Sequence, residues 1–458
     1  MLRGANIGFM KNNEGEKPSK IINYEIAADY RGEPVAARIA MPPYVAKAVD
    51  MLRCGGYDAC VVGGCVRDSL LGITPKDWDI TTCATPPEII GVFGAFKLLT
   101  HGQKFGTIAV LFEDAPVEIT TYRTDGAYSD NRRPDAVSFT ANLRDDLGRR
   151  DFTINALAFR PECGLIDHFG GIGDLDGGIV RCVGAPRERF GEDALRILRA
   201  LRFASRFSFK IERNTAEAIH ELKNSLLNIA YERICAELTG ILTGEADGLQ
   251  AVLSGYSDVF LTLMPELQYD AREWERTVRA AAALPPIPPL RLVPIFSGMV
   301  PGDAREILRR LRFSNDIVDE VTTLVEYSDS DIRADRASVK RLLRHVGEAR
   351  FRKLMLVRRA FLSADTDTGS QNALAEIDGI IKILDDVKAQ GDCYSLKDLD
   401  IDGFVLAGLG FAPGKQIGSA LWALLELVIE GECPNERGAL SERAVKFLRD
   451  GYTSERKH

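Results

Sequence analysis

The hydrophobic rhythm of this chain changes once, near Gly184, and that change constrains the fold more than any other feature. Ahead of it, short runs rich in β-branched and aromatic residues alternate with helical stretches. Residues 59–62, 78–82, 106–112 and 117–122 read as strands. The stretch 86–93 opens on prolines, as helix N-termini often do, and continues with helical spacing. Beyond Gly184 apolar residues recur at helical intervals, as in Ala194, Leu195, Ile197, Leu198, Leu201 and Phe203. The expected class is α+β, with a small mixed-sheet head followed by an elongated all-α neck, body and tail.

A length of 458 residues predicts two to four units. Residues 1–40 are polar, weakly patterned and expected to form a loosely attached extension. The head then covers 41–183, a helical neck 184–255, a helical body 256–362 and a helical tail 373–458. Pro285, Pro286, Pro288 and Pro289 interrupt the helices, and 363–372 reads as a polar linker. No apolar run is long enough to span a bilayer, and 417–429, which carries Glu426, reads as a buried helix. With no signal-peptide core at the start, the expected compartment is the cytoplasm. Nine scattered cysteines without a C-x-x-C pair argue against a disulfide framework and a structural zinc site. The net charge of −8 disfavours nucleic acid at first sight, yet 331–360 holds ten Lys or Arg against three Asp or Glu. An RNA-binding face and a solvated helix surface both fit that stretch.

Two elements of the head carry chemistry. Val61-Val62-Gly63-Gly64-Cys65-Val66-Arg67-Asp68 runs from a strand through two glycines into a helix. Glycines let backbone amides approach a phosphate, a helix N-terminus favours anions, and Arg67 is placed to reach the same triphosphate. Taken alone, a double glycine before a helix is more often a tight turn. Asp77-Trp78-Asp79 follows, and on a strand both carboxylates face one way while Trp78 faces the other. Adjacent carboxylates repel unless a cation lies between them, and Mg²⁺ takes one or two carboxylates plus substrate phosphates. A solvated surface turn fits that tripeptide equally well.

In combination, a glycine turn ten residues ahead of paired carboxylates resembles the polymerase-β-like nucleotidyltransferases. That resemblance implies Mg²⁺ at Asp77 and Asp79, a triphosphate on Gly64 and Arg67, and a third carboxylate on a neighbouring strand. Glu118 is the candidate for the third; an ordinary outward strand residue is the competing reading. Arg149-Arg150-Asp151-Phe152-Thr153-Ile154-Asn155-Ala156 is similar to the R-R-D-F-T-x-N-A stretch of class II CCA-adding enzymes and bacterial poly(A) polymerases. Glu192-Asp193-Ala194-Leu195-Arg196 resembles their E-D-x-x-R motif, and Arg233 with Glu237 their last motif. Asp402-Gly403 and the turn before Ile417 look like the family's tRNA-contacting tail.

Cytosine and adenine share an exocyclic donor beside a ring-nitrogen acceptor, and an Asp acceptor beside an Arg donor complements both. Uracil and guanine reverse that order. Asp193 and Arg196, at i and i+3 of one expected helix, fit this template-free choice; a plain local ion pair fits the spacing too. The resemblance also places Arg150, Arg199 and Arg202 near the nucleotide, and residues 122–135 resemble the flexible loop that serves the switch from CTP to ATP. The implied activity is CCA addition to tRNA from CTP and ATP, with no membrane and no obligate protein partner. An A-adding tRNA nucleotidyltransferase, a bacterial poly(A) polymerase and a non-catalytic RNA-binding protein are the alternatives.

Overall fold

The structure, a computed structural model, describes residues 39–112, 115–126, 137–162, 164–365 and 370–449. The extension expected over 1–40 lies almost wholly outside them, as does the loop from 127 to 136. Two compact units divide the chain between Leu267 and Gln268. The expected head and neck fall together in the first unit.

The first unit opens on α1 (Pro43–Cys54), which buries Val45, Ala48, Val49 and Leu52 along one stripe. Then follow β1 (Ala59–Val62), α2 (Gly64–Leu70), β2 (Asp79–Thr82) and α3 (Pro86–Val92). A capping box between Thr85 and Glu88 starts α3. Next come β3 (Lys97–Leu99), β4 (Thr107–Phe112), β5 (Ala115–Thr121), the ribbon of β6 (Arg123–Asp125) with β7 (Val137–Phe139), and α4 (Leu143–Gly148). The hairpin of β8 (Leu157–Arg160) and β9 (Gly164–Asp167) completes a seven-stranded sheet in the order β3-β4-β5-β2-β1-β8-β9. Its neighbours are antiparallel except β2 and β5, which run parallel.

Strand alternation sorts side chains between the two faces. Val61, Ile80, Ile108 and Ile119 share one face and are fully buried. The other face carries Asp79, Thr81, Glu118 and Thr120. On its β1–β8 side, Cys60, Val62 and Ala158 pack with Leu143 and Leu147 of α4. The polar half of this face therefore lies beside a sealed apolar half.

Past the sheet, α5 (Gly171–Asp176), β10 (Ile179–Val180) and α6 (Pro186–Glu192) lead to α7 (Leu195–Phe207). β11 (Lys210–Ile211) returns to pair in parallel with β10. Helices α8 (Arg213–Leu222), α9 (Tyr231–Leu242), α10 (Ala246–Gly255) and α11 (Ser257–Leu263) follow. α10 approaches α7 closely because Gly248 lacks a side chain; a Cβ there would lie 2.3 Å from the Ser205 carbonyl oxygen.

The second unit is helical among its described residues: α12 (Ala271–Ala283), α13 (Pro288–Ile295), α14 (Pro301–Arg310), α15 (Asn315–Ser328), α16 (Arg336–Ala364), α17 (Ser370–Gln390), α18 (Gly403–Gly408), α19 (Lys415–Glu430) and α20 (Arg437–Arg449). Pro285 and Pro286 lie between α12 and α13 as expected, whereas Pro288 and Pro289 form the first turn of α13. The linker expected over 363–372 is shorter, because Ala364 still belongs to α16 and Ser370 already begins α17. Residues 417–429 lie within α19, which buries Leu424, Leu425, Val428 and Ile429. Among the described residues no helix is long and apolar enough to cross a membrane.

Candidate active site

The parallel pairing of β2 and β5 sets Asp79 directly opposite Glu118, so both carboxylates emerge side by side on the polar face. Asp77 lies just ahead of β2. It is exposed while Trp78 is buried, so the expected alternation holds although only Asp79 belongs to the strand. The Asp79 side chain reaches solvent, yet its carboxyl is held above the ordinary range. The protein packed around it is the main cause; Glu118 and Asp77 add repulsion, and Arg150 acts the opposite way. Three carboxylates gathered against one arginine are a donor set suited to a divalent cation. Among the described residues no group of three or more His, Cys, Asp or Glu side chains is placed to hold a metal ion.

The glycine turn sits beside these carboxylates: Cys65 lies at the Asp79 main chain, where burial pushes its thiol up to about 11. Gly63 has φ +83°, and a Cβ there would stand 2.9 Å from Arg150 Nη1. Glycine is thus required twice, for backbone handedness and for room beside the guanidinium. Arg150 spans the site, with Gly63 on one side, Asp79 within its field, and Asp146 at 3.5 Å behind it.

Arg67 departs from the expectation of an arm reaching for triphosphate. It donates through Nε and Nη2 to Asp68 Oδ1 at 2.8 and 2.6 Å, and through Nη1 to Asn155 Oδ1 at 2.5 Å. Phe203 and Phe207 of α7 each hold a ring about 5 Å from the guanidinium (5.0 and 5.1 Å). The side chain is buried, so it supports the turn from beneath.

In the neck, Asp193 and Arg196 do not share a helix. α6 ends at Glu192 and α7 begins at Leu195; Asp193 between them is extended (φ −141°, ψ 104°) and its Oδ1 accepts from the Leu195 amide. The i,i+3 helical pair expected from the spacing is therefore absent, because a cap breaks the helix there. Asp193 instead receives Arg233 at 2.8 Å, while Arg196 donates to Glu192 at 2.5 Å and to the Arg189 carbonyl at 2.9 Å. Arg199 forks onto Asp151 (2.8 and 2.6 Å), and Arg202 meets Glu237 at 2.6 Å. Burial alone would raise the Asp151 carboxyl; Arg199 and the Asn155 amide outweigh it and bring it down to about 2. The structure thus gathers Asp77, Asp79, Glu118, Gly63, Gly64 and Arg150 at one place. Asp151 ties Arg199 to the same stretch, whereas Arg202 points into α9.

Sequence reading missed Asp146, Asn155, Arg189 and Glu192 as organisers. Asp146 is fully buried and accepts from Thr81 Oγ1 at 3.0 Å and Arg149 Nε at 2.9 Å. Its carboxyl stays low against burial because Arg150 and Arg149 flank it. The signal for Asp146 was its place four residues before Arg150, the spacing of a helical ion pair, and Asn155 stands within the R-R-D-F-T-x-N stretch itself.

The Poly A polymerase head domain family matches 59–181, and the tRNA nucleotidyltransferase domain 2 family matches 292–444. Residues 208–248 match the family described as "Probable RNA and SrmB- binding site of polymerase A". The CCA-adding enzyme of Limosilactobacillus reuteri is 34% identical over 410 residues, covering 86% of this chain and 94% of that protein. The chain belongs to the CCA-adding enzyme family. The family member from Bacillus velezensis is 32% identical over 84% of this chain and 93% of its own. The crystal structure of the Bacillus stearothermophilus CCA-adding enzyme in complex with CTP overlays with a TM-score of 0.69 at 28% identity, covering 90% of this chain and 99% of that one. The family is one of nucleotidyltransferases, whose chemistry calls for a divalent metal.

Proposed function

We propose that this chain adds C, C and A in turn to the 3′ end of tRNA from CTP and ATP, releasing pyrophosphate, in the cytoplasm. The observation that carries the reading is the in-register Asp79–Glu118 pair beside Asp77 and the Gly63–Gly64 turn, in a chain of this family. The Gly64 amide and Arg150 bind the triphosphate, and Arg67 acts on it only through the turn it supports. Asp77 and Asp79 hold Mg²⁺, with Glu118 as the third carboxylate; the ion when bound supplies the charge that activates the 3′-hydroxyl and stabilises the leaving pyrophosphate. Asp193 and Arg196 read the Watson–Crick edge, each held by its own partner. An acceptor and a donor fixed separately present a rigid pattern to the base, which raises the penalty for a mismatched edge. Arg199 keeps that pattern aligned with the head through Asp151, and Arg202, held by Glu237, supports it from the side of α9.

The test is extension of three tRNAs, ending before CCA, after C and after CC, with Mg²⁺ and CTP, ATP or both. Extension ending at CCA on all three is expected, and Asp77→Ala is expected to abolish it, a loss of at least about 10³-fold if charge stabilisation at this site dominates. Addition of A to the CC-ended tRNA alone would mean an A-adding specialist, and long A tails a poly(A) polymerase. Full incorporation by Asp77→Ala would remove the metal assignment.

A further inference from the structure

The base-reading groups sit in the neck and the carboxylates on the sheet, so something must hold the one in register with the other. Arg189, on α6 and outside every motif singled out in the sequence, touches both. Its Nε donates to the Val183 carbonyl at 2.9 Å, where the chain leaves the head. Its Nη2 donates to the Gly148 carbonyl at 2.7 Å, one residue before Arg149 and two before Arg150. Its Nη1 lies 3.0 Å from both oxygens of Glu192, and Glu192 in turn takes Arg196. The Arg189 carbonyl also accepts from Arg196 Nη1, and the Arg149 carbonyl receives Arg196 Nη2 at 3.4 Å. One guanidinium thus grips the end of the head, the root of the arginine that faces Asp79, and the carboxylate that orients the base reader.

We propose that Arg189 is a positioning residue for nucleotide selection, which fixes the donor of Arg196 relative to the reacting centre. The inference rests on the reading of Asp193 and Arg196 as the base-selecting pair. A planar fork with donors at fixed angles suits three partners at once, and a lysine ammonium cannot reproduce that geometry. Without the fork, Glu192 keeps Arg196 but the pair is no longer registered to Gly148. The donor then wanders, and an edge of the wrong polarity is rejected less strongly. Discrimination is affected more than turnover because the carboxylates on β2 and β5 do not depend on Arg189.

The experiment measures kcat and KM for CTP and for UTP on a tRNA ending before CCA, with Mg²⁺. The chains compared are the wild type, Arg189→Ala, Arg189→Lys, Glu192→Gln and Arg196→Ala, each checked for an unchanged Tm. Misplacement of a positioned group predicts a fall of about tenfold or more in the CTP-over-UTP ratio of kcat/KM for Arg189→Ala, with kcat for CTP changed less. Arg189→Lys is expected to restore little of the ratio, whereas a purely structural arginine would be rescued. An unchanged ratio in Arg189→Ala beside a relaxed one in Arg196→Ala overturns the inference alone. Flat ratios in both overturn the base-reading assignment and the inference with it. If Arg189→Ala does not fold, Glu192→Gln decides: a relaxed ratio supports the inference and an unchanged one overturns it.

Discussion

Two arginine-rich stretches, 149–206 in the first unit and 331–360 in the second, use the same side chain for opposite purposes. In the first, guanidinia are aimed. Arg199 forks onto Asp151, Arg196 reaches Glu192 and main-chain carbonyls, and Arg189 holds the Val183 and Gly148 carbonyls. In the second, they are neutralised between helices. Lys340 meets Asp392 at 2.8 Å, Arg344 meets Glu426 at 3.2 Å, Arg350 and Lys353 share Glu320, and Arg352 meets Asp385 at 2.6 Å. Arg336, Arg341 and Arg359 likewise face carboxylates, while Arg358 donates to main-chain carbonyls. The excess of positive charge along 331–360 is therefore largely cancelled by acids from elsewhere in the unit. Charge density in a sequence reports what a segment contains, and the fold decides what a ligand meets.

The comparison breaks most visibly at Arg150. Its position between Gly63, Asp79 and Asp146 predicts that Arg150→Ala lowers kcat/KM for CTP by about 10²–10³-fold, as loss of one preorganised charge in an active site does. Single alanines at Arg341, Arg352 or Arg359 are expected to stay within about twofold in the same assay, since exposed pairs couple weakly to anything distant. Equal losses in both stretches would erase the distinction between aimed and neutralised arginines.

A smaller effect separates the stretches by stability. Asp151 falls from an ordinary 3.8 to about 2 in the folded protein. A depressed carboxyl stabilises the fold above its unfolded value and loses that contribution as pH falls through its folded value. Linkage over that difference corresponds to about 2 kcal/mol at neutral pH. Asp151→Asn is therefore expected to unfold earlier in urea by about that amount at pH 7. The gap to wild type should close between about pH 4 and pH 2. A gap that persists unchanged at pH 2 would mean that shape, and not charge, makes Asp151 matter.

The same contrast explains what was legible in the sequence. Strand 59–62 and helix 86–93 were read nearly to the residue, because their signals are local: a β-branched run and a proline start. The placing of Asp77 and Asp79 on one side was legible because alternation puts them together, whereas Glu118 was reached only through the family resemblance, beside the reading of an ordinary outward strand residue. What stayed hidden depends on contacts far along the chain or on a break in a regular pattern. Nothing near Arg341 announces Glu426, 85 residues away. Helical spacing through Glu192-Asp193-Ala194-Leu195-Arg196 concealed the cap at Asp193. Arg67 looked free because the aromatic pair that receives it lies on another helix.

The smallest predicted effect tests the neutralised stretch directly. Arg352 pairs with Glu348 and Asp385, and all three side chains are more than a third exposed. An exposed pair of this kind contributes little, so Arg352→Ala is expected to change stability by less than about 0.5 kcal/mol. Its consequence for tRNA is sharper. A side chain that meets a phosphate releases a counterion, and its removal lowers the slope of log K against log salt by about one unit. Arg352→Ala should leave that slope unchanged, because the guanidinium is already engaged by two carboxylates. A slope reduced by a full unit would show that tRNA draws Arg352 away from Glu348 and Asp385, and the helix pairs of the second unit would then act as a masked phosphate-binding surface.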